Sequence, residues 1–362
     1  MSQKEVDIHA ATRSYEGWMR RCGPVIESHL QHKHEKMRQD PFQFFRGSYY
    51  RWAQIWFEVC AECANAPRVL SVGDLHVDSF GTWRDTEGRL CWGVDDFDEA
   101  FPLPYTNDLV RLAASVKVAR SLGLLNIKTK DACEIVLDAY IQTLRNGGCP
   151  LVLAESETAL EKLGIEALKT PKDFWRKLNE HPSVGRSLPD GVRQCLARAL
   201  PAKDLAFRIV RREAGLGSLG QQRFVAIAYC SGGYIAREAK RVVPSASVWL
   251  TGRTGNHQPH YEDAIRTAVR SPDPFQKVRN GWLIRRLSPD SNPISMEELS
   301  CMRDETILLH AMGNEVANVH LGKKRQPDIL LKDLKKRKAK WLPEAGRRMA
   351  RQITTDWKQY RA

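Results

Sequence analysis

No stretch of 18 or more apolar residues occurs in the 362 residues, so the sequence offers no helix able to span a bilayer. The opening MSQKEVDIHAATRSYEG carries charges where a secretory leader needs an apolar core, so the cytoplasm is the expected compartment. Paired cysteines are scarce too. Nine cysteines stand at 22, 60, 63, 91, 133, 149, 195, 230 and 301, an odd count that suits free thiols in a reducing compartment. Only Cys60 and Cys63 have C-x-x-C spacing, inside the helical stretch WAQIWFEVCAECA. No second pair or suitably spaced histidines complete a zinc site, so both read as structural thiols. Internal repeats and low-complexity tracts are missing. What remains is ordinary globular material, 42% hydrophobic and 27% charged, long enough for two or more cores.

Acidic residues are outnumbered, 43 against 56 basic, giving a formal net charge of +13. Much of the excess is local. The run Lys323–Lys340, KKRQPDILLKDLKKRKAK, holds nine basic residues and two acidic ones. It suits an anionic partner, although its plainer reading is a solvated helix face. No zinc finger, aromatic RNA-binding signature or helix-turn-helix accompanies it, so nucleic acid is not the expected partner.

Residues 14–65 read as helices with a turn at Asp40-Pro41. Val69–Val72 and Leu90–Val94 read as short strands, and 107–122 and 131–144 as helices. Prolines 171, 182 and 189 punctuate short helices over 155–200. The texture changes near 203. Phe207–Arg212, Gln221–Tyr229 and Tyr234–Lys240 read as strands, the last two joined by the hairpin turn Ser231-Gly232-Gly233. A Gly-rich polar loop covers 251–259, a helix 261–270, a strand 282–287, and helices resume near Met296. The expected division is 1–202, a β-rich segment 203–290, and 291–362.

Two constellations carry chemistry. In VLSVGDLHVDSFG and LCWGVDDFDEA, strand-end loops bring Asp74, His76 and Asp78 toward Asp95, Asp96, Asp98 and Glu99. Carboxylates gathered this way repel one another unless a cation neutralises them, and hard oxygen ligands favour Mg²⁺ or Mn²⁺. Solvated turn acids are the plainer alternative. The second constellation is Gly215-Leu216-Gly217-Ser218-Leu219-Gly220, a G-x-G-x-x-G lying between two strands. That context disfavours a dinucleotide fold, which needs strand then helix, and suits a hairpin lying close over phosphates. Lys240 ends the strand that follows, where a kinase-like site keeps a lysine for nucleotide phosphates. Glu262 or Asp263, early in the next helix, is the expected partner for its ammonium.

GDLHVDSFG, VDDFDEA and NDLVRLAAS together are similar to the catalytic core of the aminoglycoside and choline phosphotransferases. The chain also resembles a bacterial family known as domain of unknown function 2252, through PFQFFRG (41–47), GLGSLGQQRFVAIA (215–228), REAKRVVPSA (237–246), DPFQKVRNGWLIRRLSPD (273–290) and HAMGNEVANVH (310–320). The resemblance implies an α+β, protein-kinase-like two-lobed fold. It makes Asp74 the catalytic base, with His76 in its loop as a structuring residue, and Asp108 the buttress of that loop. Asp96 becomes the metal-binding residue, with Asp78 or Asp98 assisting; Gly215, Gly217, Ser218, Gly220 and Lys240 hold the nucleotide. Two departures stand out. Ser79 occupies the position of the expected asparagine, and the glycine loop and lysine follow the catalytic loop instead of preceding it. A circular permutation accounts for that order, with a helical lobe drawn from both chain ends.

The expected activity is therefore ATP-dependent, Mg²⁺-assisted phosphoryl transfer to a hydroxyl of an unidentified acceptor. Transfer of the nucleotide (AMP) itself uses the same residues, and so does a non-catalytic nucleotide sensor or partner-binding scaffold.

Overall fold

The computed structural model describes residues 6–153, 160, 168, 170–185, 188–252, 259–291, 305–322 and 326–362. Parts of four sequence readings lie outside these residues: the 155–200 helices, the polar loop after Gly252, the helical restart near Met296, and the start of the basic run at 323–325.

Helices dominate the first part: α1 (Ile8–Cys22), α2 (Glu27–Gln39), α3 (Pro41–Gly47), α4 (Tyr49–Val59) and α5 (Ala61–Ala64). The Asp40-Pro41 pair works as a helix start. The Asp40 carboxylate accepts from the Phe42 and Gln43 N–H groups at 2.8 and 2.9 Å, and Pro41 occupies a first-turn position that needs no donor.

Four strands follow, not the two expected: β1 (Arg68–Ser71), β2 (Phe80–Arg84), β3 (Leu90–Val94) and β4 (Phe101–Pro104). They form two antiparallel ribbons, β1 with β4 and β2 with β3, so β1 and β3, the strands that lead into the two acidic loops, are not paired with each other. Prolines 102 and 104 hide β4 in the sequence, because proline removes ladder donors and argues against a strand. A two-stranded ribbon tolerates them.

Next come α6 (Thr106–Ser121), α7 (Thr129–Asn146), α8 (Pro171–Glu180) and α9 (Val192–Arg198). An antiparallel sheet then runs in the order β5-β6-β7-β9-β8: β5 (Phe207–Arg211), β6 (Arg223–Cys230), β7 (Gly233–Arg241), β8 (Lys277–Arg279) and β9 (Trp282–Leu287). Short helices α10 (Ala246–Trp249) and α11 (Tyr261–Thr267) interrupt it. The chain ends in α12 (Glu305–His320), α13 (Gln326–Leu334) and α14 (Trp341–Arg361).

Both chain ends build one core. Trp52, Phe45, Leu109 and Val136 pack in the same cluster as Met312, Val316, Met349 and Ile353. The buried Arg51–Asp356 pair, 2.8 Å, joins α4 to α14. Gly313 lets α12 press onto α7, since a Cβ there would lie 2.4 Å from the Val136 carbonyl oxygen. Strand alternation explains the sheet's two smaller cores. Phe224, Ala226 and Trp282 pack on one face against Val192 and Leu196, while Val225, Ile227 and Leu287 meet Phe174 and Leu178 on the other. The architecture is mixed α+β with several small antiparallel sheets.

Cys60 and Cys63 are buried within the main core, and burial pushes their thiols up to about 11 and about 12. That environment keeps thiolate scarce at neutral pH. Among the described residues no helix is long and apolar enough to cross a membrane.

Candidate functional site

The loop after β1 is held from below. Asp108, fully buried on α6, accepts the Val72 N–H at 2.7 Å and the Gly73 N–H at 3.0 Å. The same carboxylate accepts from Asn107 Nδ2 and from His320 Nε2, each at 3.0 Å. His320 Nδ1 lies 2.9 Å from the Tyr140 hydroxyl, so the tautomer that donates to Asp108 accepts from Tyr140. Gly73 has φ +83° and no room for a side chain, since a Cβ would meet the Glu99 carbonyl oxygen at 2.3 Å. Ser79 closes the loop on itself, accepting the His76 N–H at 2.9 Å and donating to the Asp74 carbonyl at 3.1 Å.

On that platform Asp74 faces Arg111. The Arg111 guanidinium is fully buried over the rings of Phe45, Tyr49 and Trp52, at 4.2, 5.0 and 4.9 Å. Its Nε and Nη2 both donate to Asp74 Oδ1, the former at 2.9 Å. Burial raises the Asp74 carboxyl above its ordinary range, against the pull of Arg111. His76 accepts the Asp78 N–H on Nδ1 at 3.2 Å, and burial drives it well below the usual imidazole range. It is a neutral loop-shaping residue. Asp78 lines the same cleft, and its carboxylate pairs with Arg46 at 3.0 Å. Asp78, expected to assist at the metal, thus has a salt-bridge partner, and Ser79, in the place of the expected asparagine, braces the loop.

The acidic loop after β3 meets Lys240. The Lys240 ammonium, on a side chain only 3% exposed, contacts Asp96 Oδ2 at 3.1 Å and also pairs with Asp98. Burial alone would raise both carboxyls. For Asp96 burial is the largest single influence, but the ammonium, the Asp98 N–H and the Arg223 charge together outweigh it and keep the group ionised far below its ordinary range, whereas burial and the Asp96 charge push Asp98 up to about 6. Burial also lifts Asp95 to about 6 and Glu99 to about 8, although Glu99 Oε2 accepts the Ala246 N–H at 2.7 Å. Among the described residues, no three His, Cys, Asp or Glu side chains group closely enough to hold a metal alone.

Above the acids lies the glycine-rich loop, between β5 and β6 as its strand context required. Gly215 and Gly220 take left-handed backbone conformations, φ +73° and +99°, and Leu216–Ser218 makes one 3₁₀ turn. The tip sits on Asp74, for a Cβ at Gly217 would lie 3.5 Å from its Oδ2. Two bonds clasp the loop to α2 and the residue before it. Lys33 Nζ donates to the Gly217 carbonyl at 2.9 Å, and the Ile26 N–H to that of Gly220 at 2.8 Å. Lys33 is buried, which lowers its ammonium from the ordinary range.

The expected partner of Lys240 is corrected. Glu262 is exposed on α11, and Asp263 pairs with Arg266 at 2.8 Å; the ammonium turns inward to Asp96 and Asp98. Sequence reading also missed Lys33, Arg111 and a basic cluster around Glu238. There Arg212 Nη1 and Arg285 Nε each lie 2.7 Å from the Glu238 carboxylate, and Arg223 Nη1 lies 3.3 Å away. Strand register contains the signal. Glu238 and Lys240 share a face of β7, Arg223 is opposite Lys240, and Arg285 is opposite Glu238.

One cleft thus gathers Asp74, the 95–99 acids, the glycine-rich loop and the arginines. Residues 25–159 match the family described as an uncharacterized protein conserved in bacteria, DUF2252. The DUF2252 match takes in Asp74, the 95–99 loop and Asp108, and stops short of the glycine-rich loop and Lys240. Searches of curated proteins and of solved structures returned no match.

Proposed function

We propose that the protein is a Mg²⁺-assisted phosphotransferase of kinase-like, circularly permuted architecture, moving a phosphoryl group from ATP to an acceptor hydroxyl. The single observation that carries this reading is the Lys240 ammonium on Asp96 and Asp98, in a cleft roofed by the glycine-rich loop and floored by Asp74. Asp96 and Asp98, which already converge on one cationic nitrogen, would hold the divalent ion. When bound, such an ion neutralises charge on the transferring phosphoryl group.

The chain's own residues supply the rest. Arg111 fixes Asp74 through Oδ1, leaving Oδ2 toward the loop tip, where it can orient a hydroxyl and accept its proton. Backbone at Gly215 and Gly217 approaches phosphate without side chains in the way. Lys240, released from its acids, is within reach to bind the phosphate chain. Positioning and charge stabilisation do most of the work in this class of reaction.

Asp74→Asn tests the reading directly with γ-labelled ATP. Transfer to an acceptor, or to water, should fall by at least about 100-fold, with nucleotide affinity nearly unchanged. Full turnover by Asp74→Asn would exclude the assignment.

A non-catalytic nucleotide sensor is the second reading. It is favoured by the structural engagement of Ser79 and Asp78, which leaves the supporting metal position without its usual ligand. Nucleotide-induced thermal stabilisation that is independent of Mg²⁺ supports the sensor; stabilisation that requires Mg²⁺ supports transfer.

A further inference from the structure

Glu238 is completely buried and is surrounded by three guanidinium groups. One carboxylate cannot balance three cations. Further acids stand close but are only partly available: Asp95 Oδ2 lies 3.9 Å from Arg285 Nη1, beyond good hydrogen-bond distance, and Asp96 and Asp98, which feel the charge of Arg223, already pair with Lys240. Arg223, its side chain only 4% exposed, uses Nη2 on Ser218 Oγ at 2.6 Å and has a buried Nε with no hydrogen-bond partner among the described residues. The three attractions hold Glu238 ionised, well below its ordinary range against its burial, so it stays a fixed counter-charge. A buried excess of positive charge is unfavourable unless an anion completes it. Arg212, Arg223 and Arg285 all line the cleft beneath the glycine-rich loop.

We infer that Arg212, Arg223 and Arg285, splayed around Glu238, form a binding site for the oligophosphate chain of the nucleotide. Guanidinium forks match phosphate oxygens in pairs, which a lysine ammonium does not. Glu238 serves as a positioning residue: it fixes the forks and itself meets no ligand. Ser218 places the loop against Arg223, so a phosphate held there lies under the glycine backbone. Lys240, which pairs with Asp96 and Asp98, shares a face of β7 with Glu238, so cation and oligophosphate would be met by opposite charges side by side. The inference depends on the nucleotide reading only for the identity of the molecule that carries the phosphates.

Inorganic tripolyphosphate, which has no base or sugar, is the probe. Calorimetric titration at fixed ionic strength should show it binding the wild-type full-length protein. Arg212→Gln, at the more open edge of the cluster, should weaken that binding by about tenfold or more. Arg223→Gln should do the same, with melting temperatures recorded to establish folding. In parallel, phenylglyoxal labelling of the unaltered protein, mapped by mass spectrometry, should show Arg212 and Arg285 protected by tripolyphosphate, which needs no variant. Unprotected arginines, or folded variants that bind as wild type does, overturn the site. If ATP still binds in that case, the nucleotide reading stands alone. Arginine-dependent tripolyphosphate binding with ATP no tighter keeps the site and removes the nucleotide.

Discussion

Asp108→Asn isolates one carboxylate with little change of shape. In the native protein Oδ2 accepts from Val72 N and His320 Nε2, and Oδ1 from Gly73 N and Asn107 Nδ2. An amide must turn its NH₂ toward one of these pairs. Facing Val72 and His320, it meets an imidazole able to change tautomer but also a backbone N–H that stays a donor. Facing Gly73 and Asn107, it meets two donors. Either way at least one buried backbone N–H loses its acceptor, and the remaining bonds lose their charge. A charge-assisted bond contributes about 1.5–3 kcal/mol and a stranded buried donor costs about 1–3 kcal/mol. The expected loss is about 3 kcal/mol, large against a total stability of roughly 5–15 kcal/mol.

Urea unfolding followed through the tryptophans measures the loss globally. Hydrogen exchange locates it, because about 3 kcal/mol corresponds to a roughly 100-fold drop in protection at the Val72 and Gly73 amides. His320→Gln should produce a smaller loss, and the double variant less than the sum, since both act through one carboxylate. A change below about 1 kcal/mol in Asp108→Asn, with those amides still protected, refutes the claim that this carboxylate holds the Asp74 loop.

Glu99 gives a pH prediction. Its folded carboxyl is pushed up to about 8, while the unfolded chain ionises near the ordinary 4.5, so the fold holds a proton between those values and loses stability as pH rises through them. Glu99→Gln should flatten that slope and gain about 1–2 kcal/mol over wild type near pH 8.5; parallel pH profiles count against it. Gly217→Ala places a methyl in ordinary contact with Asp74 Oδ2, so stability should change by less than about 1 kcal/mol while transfer is lost. Gly215→Ala must adopt φ +73° and meet Arg223 Nη2 at 2.9 Å, and should cost about 1–2 kcal/mol. Reversed stability effects in the two alanine variants would contradict the loop geometry. Lys240→Met leaves Asp96 and Asp98 without their shared cation, so Mg²⁺ alone should raise its melting temperature by about 2 °C more than it raises that of wild type. Equal Mg²⁺ shifts would mean that the two acids do not form a cation site.

What the sequence conveyed depended on range. The unbroken apolar run Phe224-Val225-Ala226-Ile227 suits a strand with both faces covered, and β6 is there. The G-x-G-x-x-G fell between strands, and the loop joins β5 to β6. Local rules failed where tertiary context decides. FPLP reads as a breaker until a partner ribbon pairs with it, and FGTWR, just past the Asp74 loop, was not marked as a strand. The Lys240 partner was sought on the next helix, but the acids that answer it lie more than 140 residues earlier. Lys33 stands in no motif, and Arg111, though inside NDLVRLAAS, has no partner that the motif names; their roles appear only once α2 and α6 flank the cleft. Of the arginines around Glu238, Arg223 and Arg285 were recoverable in principle, because strand register plus side-chain alternation puts them on Lys240's face.

The cleft is a junction, and its parts differ in how firmly they are fixed. Asp74 stands on α6 and α12, whose contacts are buried and charge-assisted, so the floor is among the last parts to open. The roof is different. Its polar attachments to the helical part include Lys33 with the Gly217 carbonyl, Ile26 with that of Gly220, and His29 and His32 with Glu213 at the loop's base. Each such bond contributes only about 1 kcal/mol net. Lys33 also regains hydration when the loop lifts, which offsets part of the loss. Lifting the loop therefore costs far less than disturbing the floor. A ligand can enter over a fixed carboxylate without the core shared by the two chain ends coming apart.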